Sequence, residues 1–421
     1  MCTYYNQNQK NNNKCDKYKN FYMIINNIMY FHPDFTSNID NNILGQIIQN
    51  NCIGVKFLDR IEQIKNIEGI ESFLLTESHC DQCKKFGKTS IFDFDINFTT
   101  CIDLKKIYFG KKFNKPLDDR LPYIEELEFY LGSDFNYPID NLPKTIKILK
   151  LGEKFNQHIK KFPFNLEIIE FGYNFNHPIN NLPSGVKYLK LRGLYHLNIK
   201  NFPTELKEFT MSDKFNTSIN NLPQGLEKIE FGHGFNKNII TLPNNISQIK
   251  FNLRFNKKIS KYPDNLIQLI FGENYNNPVD NLPNLLEELE FGKNFNHPVN
   301  NLPTNLKKIK FGDNFNNPVD NLPCGLLNIV FGKKFNNPVD NLPTTLEYIE
   351  FGEIFNNSID NLPINLVKIN LEKAYSFNQF INSLPPNCKI KIKNYFPYQQ
   401  YIYLTKNNSK LIKHFDNLKI K

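Results

Sequence analysis

The phrase F-N-x-P-[VI]-[DN]-N-L-P-x-x-L-x-x-[IL]-x-F-G recurs every 20 residues through most of this 421-residue chain. One copy reads Phe295-Asn296-His297-Pro298-Val299-Asn300-Asn301-Leu302-Pro303, then Leu306, Ile309, Phe311 and Gly312; others start at Phe315 and Phe335. A period of 20 is too short for a pair of helices and sits at the lower edge of the leucine-rich-repeat range. It predicts a solenoid, in which each unit packs only on its neighbours, so the usual size limit of a domain does not apply.

Within a unit, Ile169 and Phe171 are two residues apart and fall on one face of a strand. Equivalent strands begin near Leu104–Phe109 and recur to Leu366–Leu371, fourteen in all. They are predicted to pair in parallel on a concave side. The Leu-Pro before each strand (Leu182-Pro183, Leu222-Pro223, Leu282-Pro283) holds the backbone extended and removes an N–H, which predicts a convex side of turns with little helix. Glycines after the strand (Gly172, Gly232, Gly292, Gly352) suit a left-handed turn residue. The aromatics that open each unit (Phe155, Phe175, Tyr195, Phe215) should stack into a spine. The Asn that follows them (Asn156, Asn176, Asn216, Asn236) can both donate and accept, so a hydrogen-bonded ladder is the expected role.

These residues resemble the FNIP repeat family, a leucine-rich-repeat-like group found mainly in social amoebae and in giant DNA viruses of amoebae. The match spans about residues 101–388, in units shorter than many of the family. The resemblance implies a protein-interaction scaffold. It also implies an alternative, because some members carry an F-box ahead of the repeats and would act as substrate-recognition adaptors of SCF-type ubiquitin ligases. Residues 21–60 stand where that F-box would be, but the usual opening Leu-Pro, acidic residue and paired aliphatics are missing.

Two rows on the strand side carry charges that alternate from coil to coil. One reads Glu128, Lys150, Glu170, Lys190 and the other Glu125, Lys147, Glu167, Lys187. Opposite charges on neighbouring strands attract weakly and fix register. The rows are broken by Ile267 and Ile270 on one coil and by Leu327 and Val330 three coils on. Such apolar islands are candidate anchors for a protein partner. Two-residue insertions between Phe129 and Phe135 and between Phe355 and Phe377 are further candidates, since insertions map to loops.

Charge narrows the partner class. Of the net +9, residues 389–421 supply +7 from eight Lys and one Asp, which leaves +2 for the rest. A near-neutral body lacks the basic stripe of a nucleic-acid binder. No catalytic constellation and no cofactor motif emerges. His79-Cys80-Asp81-Gln82-Cys83 is the one metal-like motif, and without a second pair it reads as plain thiols. The eight Cys form no repeating framework, which suits a reducing compartment. No segment approaches the length of an apolar span, so the expected location is the cytoplasm, or the host cytoplasm for a viral protein.

The predicted organisation is a polar tail (1–20), an N-terminal cap (21–100), the repeat solenoid (101–388) and a basic C-terminal cap (389–421). Within the cap, Thr36 to Asn50 has helical apolar spacing, and Ile61 to Leu75 suits irregular first coils. In the last segment Lys-Ile-Lys-Ile-Lys alternates like a final strand, with Leu411, Ile412 and Phe415 to cover it.

Overall fold

The computed structural model describes residues 22–25, 27–31, 47, 52–57, 103–393 (apart from 112, 118, 119, 380 and 382) and 401–404. Of the expected helix, only Ile47 falls within this set, helical and buried. The polar tail, the Ile61 to Leu75 stretch, the His79 to Cys83 motif and the Leu411, Ile412 and Phe415 cover lie outside it. The chain forms two compact units, Met1–Leu206 and Lys207–Lys421.

In the first unit, β1 (Tyr22–Ile25) pairs antiparallel with β2 (Ile28–Phe31) across Asn27, which has φ 60°. From β2 onward the ladder is parallel: β3 (Gly54–Phe57), β4 (Lys106–Phe109), β5 (Glu126–Phe129), β6 (Ile148–Lys150), β7 (Ile168–Glu170) and β8 (Tyr188–Lys190). In the second unit, β9 (Glu208–Thr210), β10 (Lys228–Glu230), β11 (Gln248–Lys250) and β12 (Gln268–Ile270) are parallel neighbours. They continue through β13 (Glu288–Glu290), β14 (Lys308–Lys310), β15 (Asn328–Val330), β16 (Tyr348–Glu350) and β17 (Lys368–Leu371) to β18 (Lys389–Lys393). β19 (Tyr401–Leu404) closes the ladder antiparallel to β18. Strands β4 to β17 are the fourteen expected from the repeat. β2 and β3 extend the parallel ladder upstream of it, and the Lys-Ile-Lys-Ile-Lys run is β18.

The coils are held by three repeated devices. The first is apolar. The middle residue of each strand is buried, as Leu289 and Ile309 are, and rings stack along the axis. The unit-opening aromatics lie about one coil apart and nearly parallel, as in Phe335–Phe355 (6.2 Å, 6°). In the second unit a parallel column of strand-end rings runs from Phe231 to Phe351, with Phe271–Phe291 at 5.7 Å. The columns touch within a coil, Phe291 to Phe295 at 3.7 Å. Offset stacking of this kind adds to the area term.

The second device is the Asn ladder. Asn156, Asn256, Asn296 and Asn316 each accept at Oδ1 from the backbone N–H of the equivalent residue one coil on, at 2.9–3.0 Å. The residue in the variable place often adds a second donor, as Asn317 Nδ2 does to Asn296 Oδ1 at 2.8 Å. In the first unit the ladder ends at His196, whose N–H bonds Asn176 but whose ring has no amide oxygen to pass on.

The third device is a pair of turns. The Pro carbonyl accepts from the N–H three residues on, Leu306 to Pro303 at 3.1 Å, and this recurs along the array in place of helix. The strand-end Gly carbonyl accepts from the following ring residue, Phe295 to Gly292 at 3.3 Å. That turn corrects the expectation of a left-handed Gly. Gly292 opens the turn, where φ is ordinary, and among the described glycines only Gly193 has positive φ (52°). Glycine is used at these places because coils approach closely: a β-carbon at Gly292 would overlap the carbonyl oxygen of Gly272.

Candidate functional site

Every short strand shows one buried residue between two half-buried or exposed ones. The first and third residues of each strand therefore face outward together. A further row stands one residue before the strand. Sequence reasoning followed the third-residue row and the pre-strand row but passed over the first-residue row.

On β13 and β14 all three rows are matched Glu–Lys pairs. Lys307 meets Glu287 at 2.7 Å, Lys308 meets Glu288 at 2.6 Å, and Lys310 meets Glu290. The same logic repeats elsewhere: Lys147–Glu125 (2.8 Å), Lys187–Glu167 (2.8 Å) and Lys250–Glu230 (2.7 Å). These pairs are exposed, so they set register more than stability.

The four predicted anchors do not form one patch. Ile270 and Val330 are half-buried third residues on β12 and β15, three strands apart, or about 14 Å by ladder spacing. They line opposite sides of one depression of about 220 Å³ whose middle is the β13–β14 ion-pair zipper. Gln268, Asn328 and Tyr348 complete its lining. These three belong to the overlooked row. Gln268 Nε2 donates to Glu288 at 2.8 Å and Tyr348 donates to Glu350 at 2.8 Å. Burial and then the Glu350 partner push the Tyr348 phenol up to about 12, so it is a fixed donor at neutral pH. Ile267 is exposed and Leu327 half-buried, and both stand in the pre-strand row outside the depression lining.

The first unit holds a second candidate that sequence reasoning missed. A cleft of about 710 Å³ lies on the turn side of the strands. Phe164, just after Pro163, stands on its wall at 79% exposure, with Lys160 and Lys161 beside it. The signal was present: Pro143, Pro183 and Pro203 are followed by Lys144, Ser184 and Thr204. Tyr123, after Pro122, is the other exposed aromatic of this row in the first unit. Next to the cleft, the outward first residues Ile148, Ile168 and Tyr188 are cross-strand partners and form an apolar strip.

The two-residue insertion after Phe129 is a turn, Ser133 N–H to Tyr130 O at 2.9 Å, that pushes Tyr130 and Leu131 into solvent. Beside it, Tyr108 donates to Glu126 at 2.9 Å, Lys106 pairs with Glu126 at 2.7 Å, and Lys150 with Glu128 at 2.5 Å. Burial opposes the charge on Glu126, but Lys106 and Tyr108 hold its carboxyl below the usual range; burial and the nearby Glu126 raise Glu128. Each carboxylate is tied to a lysine on a neighbouring strand, a pairing that favours one register of the ladder. Among the described residues no group of His, Cys, Asp and Glu could hold a metal ion. No helix among them is long and apolar enough to cross a membrane.

Stacked coils, a parallel ladder and a turn-built outer side define a leucine-rich-repeat-like β-solenoid. The FNIP Repeat profile matches residues 155–193, 262–294, 278–314 and 315–353, and the chain carries that repeat through these segments. CroV588, described as a novel circular LRR protein, is similar in structure, with a TM-score of 0.56 and 25% identity over 95% of this chain and 70% of that one. YopM from Yersinia enterocolitica gives a TM-score of 0.39 at 18% identity over 70% of this chain and 65% of that one. The Leptospira interrogans LRR protein LIC12759 gives 0.35 at 14% over 78% and 92%. No curated protein matches the chain in sequence.

Proposed function

We propose that this chain is a protein-interaction scaffold and that its second unit reads a partner across the outward strand face. The observation that carries the reading is the placement of Ile270 and Val330, two departures from the charged rows, on one depression. Two apolar ledges flanking a self-neutralised floor suit a partner with two apolar contacts about 14 Å apart. Ile267 and Leu327 would widen those contacts at the rim. The LRR-like architecture supports this reading, since such arrays present extended surfaces rather than pockets.

The test compares the full chain with Ile270→Asp/Val330→Asp. Partners captured from the native cytosol are identified by mass spectrometry, purified and titrated by calorimetry. Loss of two apolar contacts predicts binding weaker by about tenfold or more. Equal affinity with the double variant removes the depression from the account. The ligase-adaptor alternative has no such support: among the described residues, 22–25, 28–31 and 54–57 are strands of the ladder, and nothing favours an F-box.

A further inference from the structure

The Phe164 cleft lies on the other unit and owes nothing to the Ile270–Val330 depression. Four of its features bear on a ligand. Phe164 is large, aromatic and 79% exposed, so it leaves most of its ring in water. Single exposed hydrophobes are common, but this one stands on the wall of a cleft rather than on a convex surface. The neighbouring charges are unbalanced. Lys147 and Lys187 are taken up by Glu125 and Glu167. The side chains of Lys160 and Lys161 have no ion pair among the described residues, and both are exposed. Their backbones are engaged instead: both N–H groups donate to Asp140 Oδ1, and the Lys160 carbonyl accepts from Asn181 Nδ2. Glu205, the remaining acid of the lining, acts on Lys187. Finally, Lys147, Glu167 and Lys187 line the strand edge of the cleft, each one residue before the cross-strand partners Ile148, Ile168 and Tyr188.

We propose that this cleft is a second docking surface, shaped for an acidic segment of a partner protein that carries an aromatic or large aliphatic side chain against Phe164. The cleft lining carries four lysines against two glutamates, a small positive excess that suits a few carboxylates. A phosphodiester backbone fits less well, because Glu125, Glu167 and Glu205 stand among the lysines and repel a continuous polyanion. The exposed Phe164 ring supplies an anchor that a purely ionic ligand would not use. Phe164 is an anchor and Lys160 and Lys161 select charge.

The test uses the full chain. A displayed library of random short peptides is panned on it and the enriched pool sequenced. The strongest peptide is then titrated by fluorescence anisotropy against the natural chain, Phe164→Ser, Lys160→Glu/Lys161→Glu and Ile270→Asp/Val330→Asp. Circular dichroism of each variant checks the fold; Phe164 is exposed, so its loss leaves the core intact. The expected pool is net acidic with at least one aromatic or aliphatic residue. Phe164→Ser should weaken the peptide by about tenfold or more. The charge reversal should weaken it and flatten its dependence on salt. The Ile270→Asp/Val330→Asp variant should bind it unchanged, which separates this surface from the one above. A pool that is neutral or basic, or peptides indifferent to Phe164, would overturn the proposal. So would a thymidine oligonucleotide that binds as tightly as the peptide and loses affinity in Phe164→Ser.

Discussion

Tyr262 and Tyr275 offer a quantitative test of how the core tolerates a departure from the repeat. Tyr262 replaces the Leu of a Leu-Pro step, and Tyr275 replaces the Phe that opens the next unit. Both are buried in the second unit, and Tyr275 stacks with Phe255 at 6.1 Å and Phe271 at 3.8 Å like any other ring of the spine. The two hydroxyls act on each other electrostatically, yet neither makes a hydrogen bond of good geometry. A buried hydroxyl without a good partner costs about 1–3 kcal/mol. Replacing both by Phe keeps the rings and removes the cost. Tyr262→Phe/Tyr275→Phe should therefore be more stable at pH 7 by about 1–3 kcal/mol, the mutual contact offsetting part of the gross penalty.

The same pair fixes a pH dependence. Burial pushes the Tyr275 phenol from 10.0 up to about 12, and burial likewise raises Tyr262. Above pH 10 the unfolded chain releases these protons while the folded chain keeps them. Stability is thus full below pH 10 and falls as pH rises toward the folded values. At pH 11 Tyr275 alone removes about 1.4 kcal/mol, and Tyr262 adds to it. The double variant lacks this loss, while every other titrating group is common to both proteins. Urea unfolding followed by far-ultraviolet circular dichroism at pH 7 and pH 11 measures it as a stability gap that widens with pH. A gap that stays constant, or a double variant that is weaker at pH 7, refutes the reasoning.

Two further outcomes follow from the coil-to-coil devices. Asn296→Ala deletes the acceptor for Asn316 N–H and Asn317 Nδ2 and should cost about 1–2 kcal/mol, whereas Asn296→Asp keeps an acceptor oxygen and should retain most of it; urea midpoints of the two variants separate the readings. Gly292→Ala forces a β-carbon toward the Gly272 carbonyl and should cost about 1–3 kcal/mol in the same assay, while Gly185→Ala, whose β-carbon would sit 4.0 Å from Leu166 O, should be near neutral.

The core was legible because it repeats. Ile309, Phe311 and Phe315 announce their roles by recurring at 20, and the Asn ladder followed from an amide in one register at each turn. What failed was local. Residues 21–31 stood only as the start of the N-terminal cap, with no strand assigned, although Asn26-Asn27 between two apolar stretches is a hairpin signal; residues 22–25 and 28–31 are in fact β1 and β2. The glycine rule was misassigned because the sequence reports that a side chain is unwelcome, not whether dihedral angle or a neighbouring coil excludes it. At the candidate site, Ile270 and Val330 were singled out and Tyr348 was not, because a three-residue strand turns its first and third residues outward and only the third-residue row of that pair had been followed. Phe164 escaped because its row was taken as turn and never compared coil by coil.

These misses share a cause with the function proposed. In an array of this kind stability comes from what coils have in common: the rings, the amides, the buried aliphatics. A place where one coil differs adds little to that shared framework and can cost stability, as Tyr262 and Tyr275 do. Ile270, Val330 and Phe164 are departures that face outward, where no neighbouring coil needs them. The charged zipper of β13 and β14 sharpens the contrast, since it cancels its own field and offers a partner little electrostatic attraction. On the two proposals above, recognition would fall to the apolar ledges beside the zipper in one unit and to the exposed ring with Lys160 and Lys161 in the other. Two surfaces with different chemistry on separate units would let one chain hold two partners, and the Ile270→Asp/Val330→Asp and Phe164→Ser variants should then each lose one partner and keep the other.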